Sequence, residues 1–118
     1  MSTKSPDDGT ELLELLGDTY VQDILAATSQ GQKSARELSS ELEADISTIY
    51  RRVDDMLEYE LLVERTQIVD DGSHHSVYKA NIDHVDIDIE DGEFIVGVKV
   101  HESPAERFTR IWDDIREI

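Results

Sequence analysis

Cysteine is missing from all 118 residues. Disulfides, thiolate zinc sites and thiol redox sensing are therefore excluded, and any redox sensing would have to be indirect. Lysine is scarce, with four residues in the chain. No apolar run approaches the roughly 20 residues that span a bilayer, and residues 1–9 are polar, with two Asp, a Pro and a Gly. A cytoplasmic protein with no membrane partner is the expectation. Also missing are a nucleophile elbow, a Gly-rich phosphate loop and an isolated acid pair, so no enzyme and no cofactor are expected.

Acidic residues, by contrast, are abundant: 28 Asp and Glu against 11 Lys and Arg give a net charge of −17. The excess is spread along the chain, at −5, −5 and −7 over residues 1–32, 33–79 and 80–118. A uniform acidic coat suits a cytoplasm of molar salt, where the Debye length is about 3 Å and self-repulsion is screened. Inorganic cations at the acidic surface are expected partners. A disordered acidic segment is argued against by strong apolar periodicity; a mimic of DNA or a binder of basic partners is the other competing reading.

That periodicity is clearest over residues 34–63. Ile49, Val53, Met56 and Leu57 recur at three and four, the spacing of one buried helix face. Ser47 and Arg51 fall roughly opposite, with Thr48, Tyr50 and Arg52 on the flanks. A helix before it starts at Ser34, with Glu37 completing a capping box, and buries Ala35, Leu38 and Leu42. Only Glu43 and Ala44 separate this helix from Asp45, the expected N-cap of the second. So short a link makes the two cross steeply, as in a helix-turn-helix, and pushes the second outward.

Upstream, residues 1–10 read as a polar tail, residues 11–16 as a short helix, and residues 18–28 as a second that buries Val21, Ile24 and Leu25. Residues 29–33 read as a loop. Downstream, residues 61–71 and 73–82 read as strands around a two-residue Asp71-Gly72 turn, a wing that would set Glu64 opposite Lys79 and Arg65 opposite Tyr78. A second hairpin turns at Asp91-Gly92 and pairs Ile89 with Phe94, Ile87 with Val96 and Val85 with Val98 on one face, with Asp86, Asp88 and Lys99 on the other. It covers one end of the core or forms part of a subunit interface. Ser103-Pro104 then opens a final helix with a stripe of Ala105, Phe108, Ile111, Trp112, Ile115 and Ile118. Such a stripe must be buried, on its own domain or, as favoured here, in a two-fold homodimer.

The run from Ala35-Arg36-Glu37-Leu38 through Ser47-Thr48-Ile49-Tyr50-Arg51-Arg52 to Leu61-Leu62-Val63, followed by the wing, resembles winged-helix transcription regulators of the ArsR and PadR type. The second hairpin and the ending Pro104-Ala105-Glu106-Arg107-Phe108 are similar to a branch found in halophilic archaea that includes an oxidative-stress regulator. The resemblance implies a dimeric DNA-binding regulator whose recognition helix carries Ser47, Thr48, Tyr50, Arg51 and Arg52. Glu43 and Glu60 depart from it, standing where such proteins often have Gly, and the cysteine metal ligands of many ArsR relatives are missing.

The expected fold is α+β: a polar tail (1–10), a winged helix-turn-helix DNA-binding domain (11–82), a second β-hairpin (83–102) and a C-terminal dimerisation helix (103–118). Its expected partner is a palindromic double-stranded operator. Arg51 or Arg52 would hydrogen-bond guanine while its neighbour holds phosphate. Lys33 and Arg36 are placed for backbone contacts, and Arg65, His74, His75 or Lys79 for contacts from the wing. A solvated helix face in which Arg51 and Arg52 pair with Asp54, Asp55 or Glu58 competes with this reading. A winged-helix module that binds protein in the transcription machinery is the alternative function. A metal or ligand sensor built on His74, His75, His84 and His101 is disfavoured, because His74 and His75 are adjacent on a strand and point to opposite faces. No metal site is expected.

Overall fold

A computed structural model describes residues 6–68 and 71–100 of the chain. Within them four helices and two small antiparallel sheets make a mixed α+β fold. Helix α1 (Pro6–Leu16) begins inside the stretch read as a polar tail. Proline suits a first helical position, because its missing N–H has no partner in any helix, so helix precedes the first leucine by several residues. Gly17 closes α1, its amide donating to the Leu13 carbonyl at 2.9 Å.

Helix α2 (Thr19–Gln30) is capped by Asp18, whose carboxylate accepts from the amides of Tyr20 (2.8 Å) and Val21 (3.2 Å). It buries Val21, Ile24 and Thr28, and the Thr28 hydroxyl is satisfied by donating to the Ile24 carbonyl at 2.7 Å. The helix runs two residues past its expected end. What was read as loop up to residue 33 instead ends in a short strand, β1 (Lys33–Ser34). Two residues leave no alternation to detect, and the strand exists because β3 offers it an edge.

The capping box at the start of α3 (Ala35–Leu42) is present as expected: the Glu37 amide donates to Ser34 Oγ at 3.1 Å and the Ser34 amide to Glu37 Oε1 at 3.0 Å. Glu43 then takes the left-handed conformation (φ 51°), as the glycine of related turns would, and the Ser39 hydroxyl donates to the Ala44 carbonyl at 2.5 Å. Helix α4 (Ile46–Glu58) follows. Asp45 sits at its N-cap position without a side-chain capping bond among the described residues.

Strands β2 (Leu62–Ile68) and β3 (His74–Ala80) pair, and β1 adds to the outer edge of β3, giving the order β1-β3-β2. The register corrects the sequence reading by one residue: Glu64 faces Tyr78 and Arg65 faces Val77, while Lys79 faces Val63. The ladder ends at Ile68 with His74, a register that a two-residue Asp71-Gly72 turn would not give. At the base, the Asn81 amide donates to the Leu61 carbonyl (2.9 Å) and its side chain to the Glu60 carbonyl (3.0 Å), and this closure sets the pairing. Strand β4 (Ile82–Glu90) starts at once, so Ile82 belongs to the second hairpin rather than to the wing. With β5 (Glu93–Val100) it pairs as expected, Ile89 with Phe94, Ile87 with Val96 and Val85 with Val98.

One core joins these parts. Leu12, Val21, Ile24, Leu38, Ile49, Val53, Met56, Leu61 and Tyr78 form it, with Leu25, Leu42, Leu57, Val96 and Val98 packed around them. Of the apolar face of the second hairpin, Val96 and Val98 pack against this core, while Ile87, Ile89 and Phe94 are exposed. Among the described residues, no helix is long and apolar enough to cross a membrane. The expected terminal helix and its stripe, Ala105, Phe108, Ile111, Trp112 and Ile115, lie outside the described residues.

Candidate functional site

Helix α4 buries Ile49, Val53 and Met56 at zero exposure, which fixes its rotation about its own axis. Ser47, Tyr50 and Arg51 are thereby exposed and Thr48 half-buried. Arg51 makes no ion pair among the described residues. Neither expected contact of the solvated-face reading, with Asp54, Asp55 or Glu58, is formed.

Arg52 lies one residue, about 100°, further round the helix, and its circumstances differ. Its Nε donates to Asp18 Oδ2 at 3.0 Å and its guanidinium stands 5.7 Å over the Tyr20 ring. Asp18 thus caps α2 with one oxygen and holds α4 with the other. Around Arg52 runs a cleft of about 360 Å³ lined by Glu11, Glu14, Asp55, Glu58 and Tyr59. The Tyr59 hydroxyl donates to Glu11 Oε2 at 2.6 Å across it. Arg52 therefore faces α1 and α2 and is surrounded by carboxylates.

On the other side of α4 a groove of about 460 Å³ opens between the start of α3 and the β2–β3 hairpin. It brings together four residues that the sequence proposes for DNA, Arg36, Tyr50, His74 and His75, and adds Gln67 and Tyr78. The two histidines alternate on β3, as expected of neighbours on a strand, yet both reach the groove near the hairpin tip. Burial, and then the Glu64 carboxylate opposite, push the Tyr78 phenol above its ordinary range. At the tip, Asp71 accepts from the amide (2.9 Å) and the hydroxyl (2.6 Å) of Ser73. These bonds, with His75 nearby, hold its carboxyl below the usual carboxylate range.

The remaining candidates sit apart from the groove. Lys33 Nζ donates to Glu41 Oε1 at 2.7 Å, and that bond, with Glu37 adding to it, holds the ammonium above its ordinary range. Arg65 and Lys79 share the sheet face opposite to Tyr78. Among the described residues no three His, Asp or Glu side chains converge into a set that could hold a metal ion.

Sequence reasoning missed Gln67 and Tyr78 because they meet Arg36 and Tyr50 only through the packing of the hairpin beside α3, which no local pattern signals. It also missed Asp18 as the partner of Arg52, since 34 residues separate them and nothing local signals the contact. No protein-family model matches the chain, and comparison with curated proteins finds no match.

Proposed function

We propose that the chain is a sequence-specific DNA-binding transcription regulator of the winged helix-turn-helix kind, acting as a homodimer, with α4 in the major groove and β2–β3 as the wing. The observation that carries this reading is Arg51, exposed and without an ion pair among the described residues, on the outer face of a rigidly packed helix beside a groove that leads to a hairpin. The order α2-β1-α3-α4-β2-β3, with sheet order β1-β3-β2, supports it.

The two arginines then divide the work. Arg51 donates to a guanine edge, while Ser47, Thr48 and Tyr50 fix the frame on phosphate and sugar. Arg52 acts through Asp18 and Tyr20, setting the angle of α4 against α2. Arg36, His74 and His75 lie along the path that the DNA backbone would take from α3 to the wing. Glu37, Asp54 and Glu64 stand close by, so cations held between these carboxylates and the phosphates would neutralise both surfaces. Shape and base contacts then carry the affinity that ordinary ion-release binding loses in molar salt.

The test is binding to fragments of the protein's own promoter region with competitor DNA, from moderate salt to about 2 M KCl, a range over which ion-release binding should vanish. Arg51→Ala is expected to cut selectivity about 10- to 100-fold, the worth of one bidentate base contact. Arg52→Ala should weaken binding without altering the slope of affinity against salt, whereas losing a phosphate contact lowers that slope by about one. Retained selectivity in Arg51→Ala would overturn the assignment, and a steep loss of wild-type affinity toward molar KCl would overturn the cation argument. Ile46 and Tyr50, 42% and 50% exposed beside Arg51, favour a protein-binding module as the second reading. Failure of the wild type to select any fragment would move the weight there.

A further inference from the structure

The groove between α3 and the wing carries a charge that is not fixed. Among the described residues its walls hold one guanidinium, Arg36, and one carboxylate, Glu37, which offset each other. Tyr50 and Tyr78 line it with phenols, uncharged near neutral pH. Tyr78 is pushed further from ionising by burial and then by the carboxylates of Glu64 on β2 and, less, Asp54 on α4. His74 and His75 complete the walls, and both are exposed. Imidazole is the side chain whose charge changes between about pH 5 and 8, so these two rings decide whether the groove is neutral or carries two positive charges.

High salt makes those walls count for more than the acidic coat. At 1 M the Debye length is about 3 Å, so a phosphate is screened from most of the net charge of −17 and responds to the groups it touches. Arg65 and Lys79, the two fixed cations of the β2–β3 hairpin, do not line the groove.

The wing tip also orients one ring. Its carboxylate, Asp71, is held ionised by the bonds from Ser73. The Ser73 hydroxyl gives its one proton to Asp71 Oδ1 at 2.6 Å, so toward His75 Nε2, 3.4 Å away, Ser73 Oγ can only accept. Nε2 is therefore the nitrogen that bears hydrogen in the neutral ring. Nδ1 is left to take up a proton and become a second donor.

We propose that His74 and His75, with Arg36, form a phosphate site that accepts the DNA backbone only when the imidazoles are protonated, so that operator binding takes up protons and strengthens as pH falls. This rests on the regulator reading and adds a proton-dependent grip to it. An imidazolium gives a phosphate oxygen a charge-assisted hydrogen bond, whereas a neutral ring offers it a lone pair.

The test measures binding to promoter fragments in about 2 M KCl, between about pH 5.5 and 8. It compares the wild type with the double variant His74→Gln, His75→Gln, which changes two exposed positions, keeps hydrogen-bonding groups and removes the titration. The wild-type dissociation constant should fall with decreasing pH, by up to about tenfold per pH unit for each proton taken up. The double variant should keep the wild type's alkaline affinity at every pH. A flat wild-type profile, or an equal slope in the double variant, would overturn the proposal and leave the regulator reading standing. A second arm needs no DNA. Sulfate is doubly charged throughout this range, and replacing chloride by sulfate at equal ionic strength should raise the NMR titration midpoints of His74 and His75 but not that of His84, exposed on β4. Equal shifts at all three rings, or none, would remove the site. If this selective shift appears while the wild type selects no fragment at any pH, the regulator reading fails and the proton-gated anion site stands.

Discussion

Two hairpins in this molecule carry the same Asp-Gly pair at the tip and resolve it differently. In β4–β5, Asp91 and Gly92 both adopt positive φ (51° and 79°), the two-residue turn whose twist matches the strands, and the pairing follows from it. In β2–β3, Gly72 is left-handed at 84°, and the Asp71 carboxylate takes the amide and hydroxyl of Ser73. The register moves by one from the one a two-residue Asp-Gly turn would set. The difference lies at the other end of each hairpin. Leu61 and Asn81 close β2–β3 against the core, with Leu62, Val77, Tyr78 and Ala80 buried, so the base decides the pairing and the tip absorbs the odd residue. Among the described residues the turn-proximal half of β4–β5 has no such anchor, with Ile87, Ile89 and Phe94 exposed, and its turn sets the register.

The comparison is sharpened most by taking one side chain from each regime. Ile49, at zero exposure on α4, should cost about 2–5 kcal/mol when cut to alanine. That is a large share of the roughly 5–15 kcal/mol that holds a domain of this size together. Ile89→Ala, at an exposed position, should change unfolding by less than about 0.5 kcal/mol. Urea denaturation followed by circular dichroism checks both; comparable losses would mean that the second hairpin is as anchored as the first. A smaller effect distinguishes the turns. An alanine Cβ would meet nothing within 4 Å at Gly72 or Gly92, so each substitution costs only backbone strain, about 1–2 kcal/mol. In Gly92→Ala the cross-strand contact of Ile89 with Phe94 should fade in NMR spectra. In Gly72→Ala the contact of Glu64 with Tyr78 should persist, because the base holds it; its loss would show that the wing too takes its register from its turn.

The same physics explains what the sequence could show. Wherever a local rule decides, the residues were legible: the Ser34–Glu37 box, Asp18 as a helix start, the buried stripe of α4, and the pairing of β4–β5 from the turn down to Val85 and Val98, above the register shift at Ile82 and His84. Long-range closure was not legible. The edge strand Lys33–Ser34 exists only because β3 lies beside it, and the wing register depends on Asn81 reaching back to Glu60 and Leu61. Glu43 and Glu60 hold left-handed φ of 51° and 60° despite their side chains, so two positions that suggested altered turns keep the backbone a glycine would give. In the candidate site, Arg51 could be read from helical phase alone. The removal of Arg52 into a carboxylate-lined cleft required knowing that Asp18 lies across from α4.

The smallest effect concerns the wing tip and pH. Because the Ser73 bonds hold the folded Asp71 carboxyl below its ordinary value, the order they give is present above the unfolded carboxylate range, near about 3.9. It is lost as pH falls through the lower folded value. Asp71 is exposed, so this is local order at the tip rather than a share of global stability. The Ser73 amide resonance should titrate with a midpoint below that of an unfolded Asp, and Asp71→Asn should flatten the titration while leaving an acceptor in place. A midpoint at the ordinary value would remove the Ser73 bonds as the cause. Through the whole titration the pairing of Glu64 with Tyr78 should stay unchanged, since closure at Leu61 and Asn81 uses no titrating group. A register that slipped with protonation would mean that the tip, and not the base, had been holding the wing.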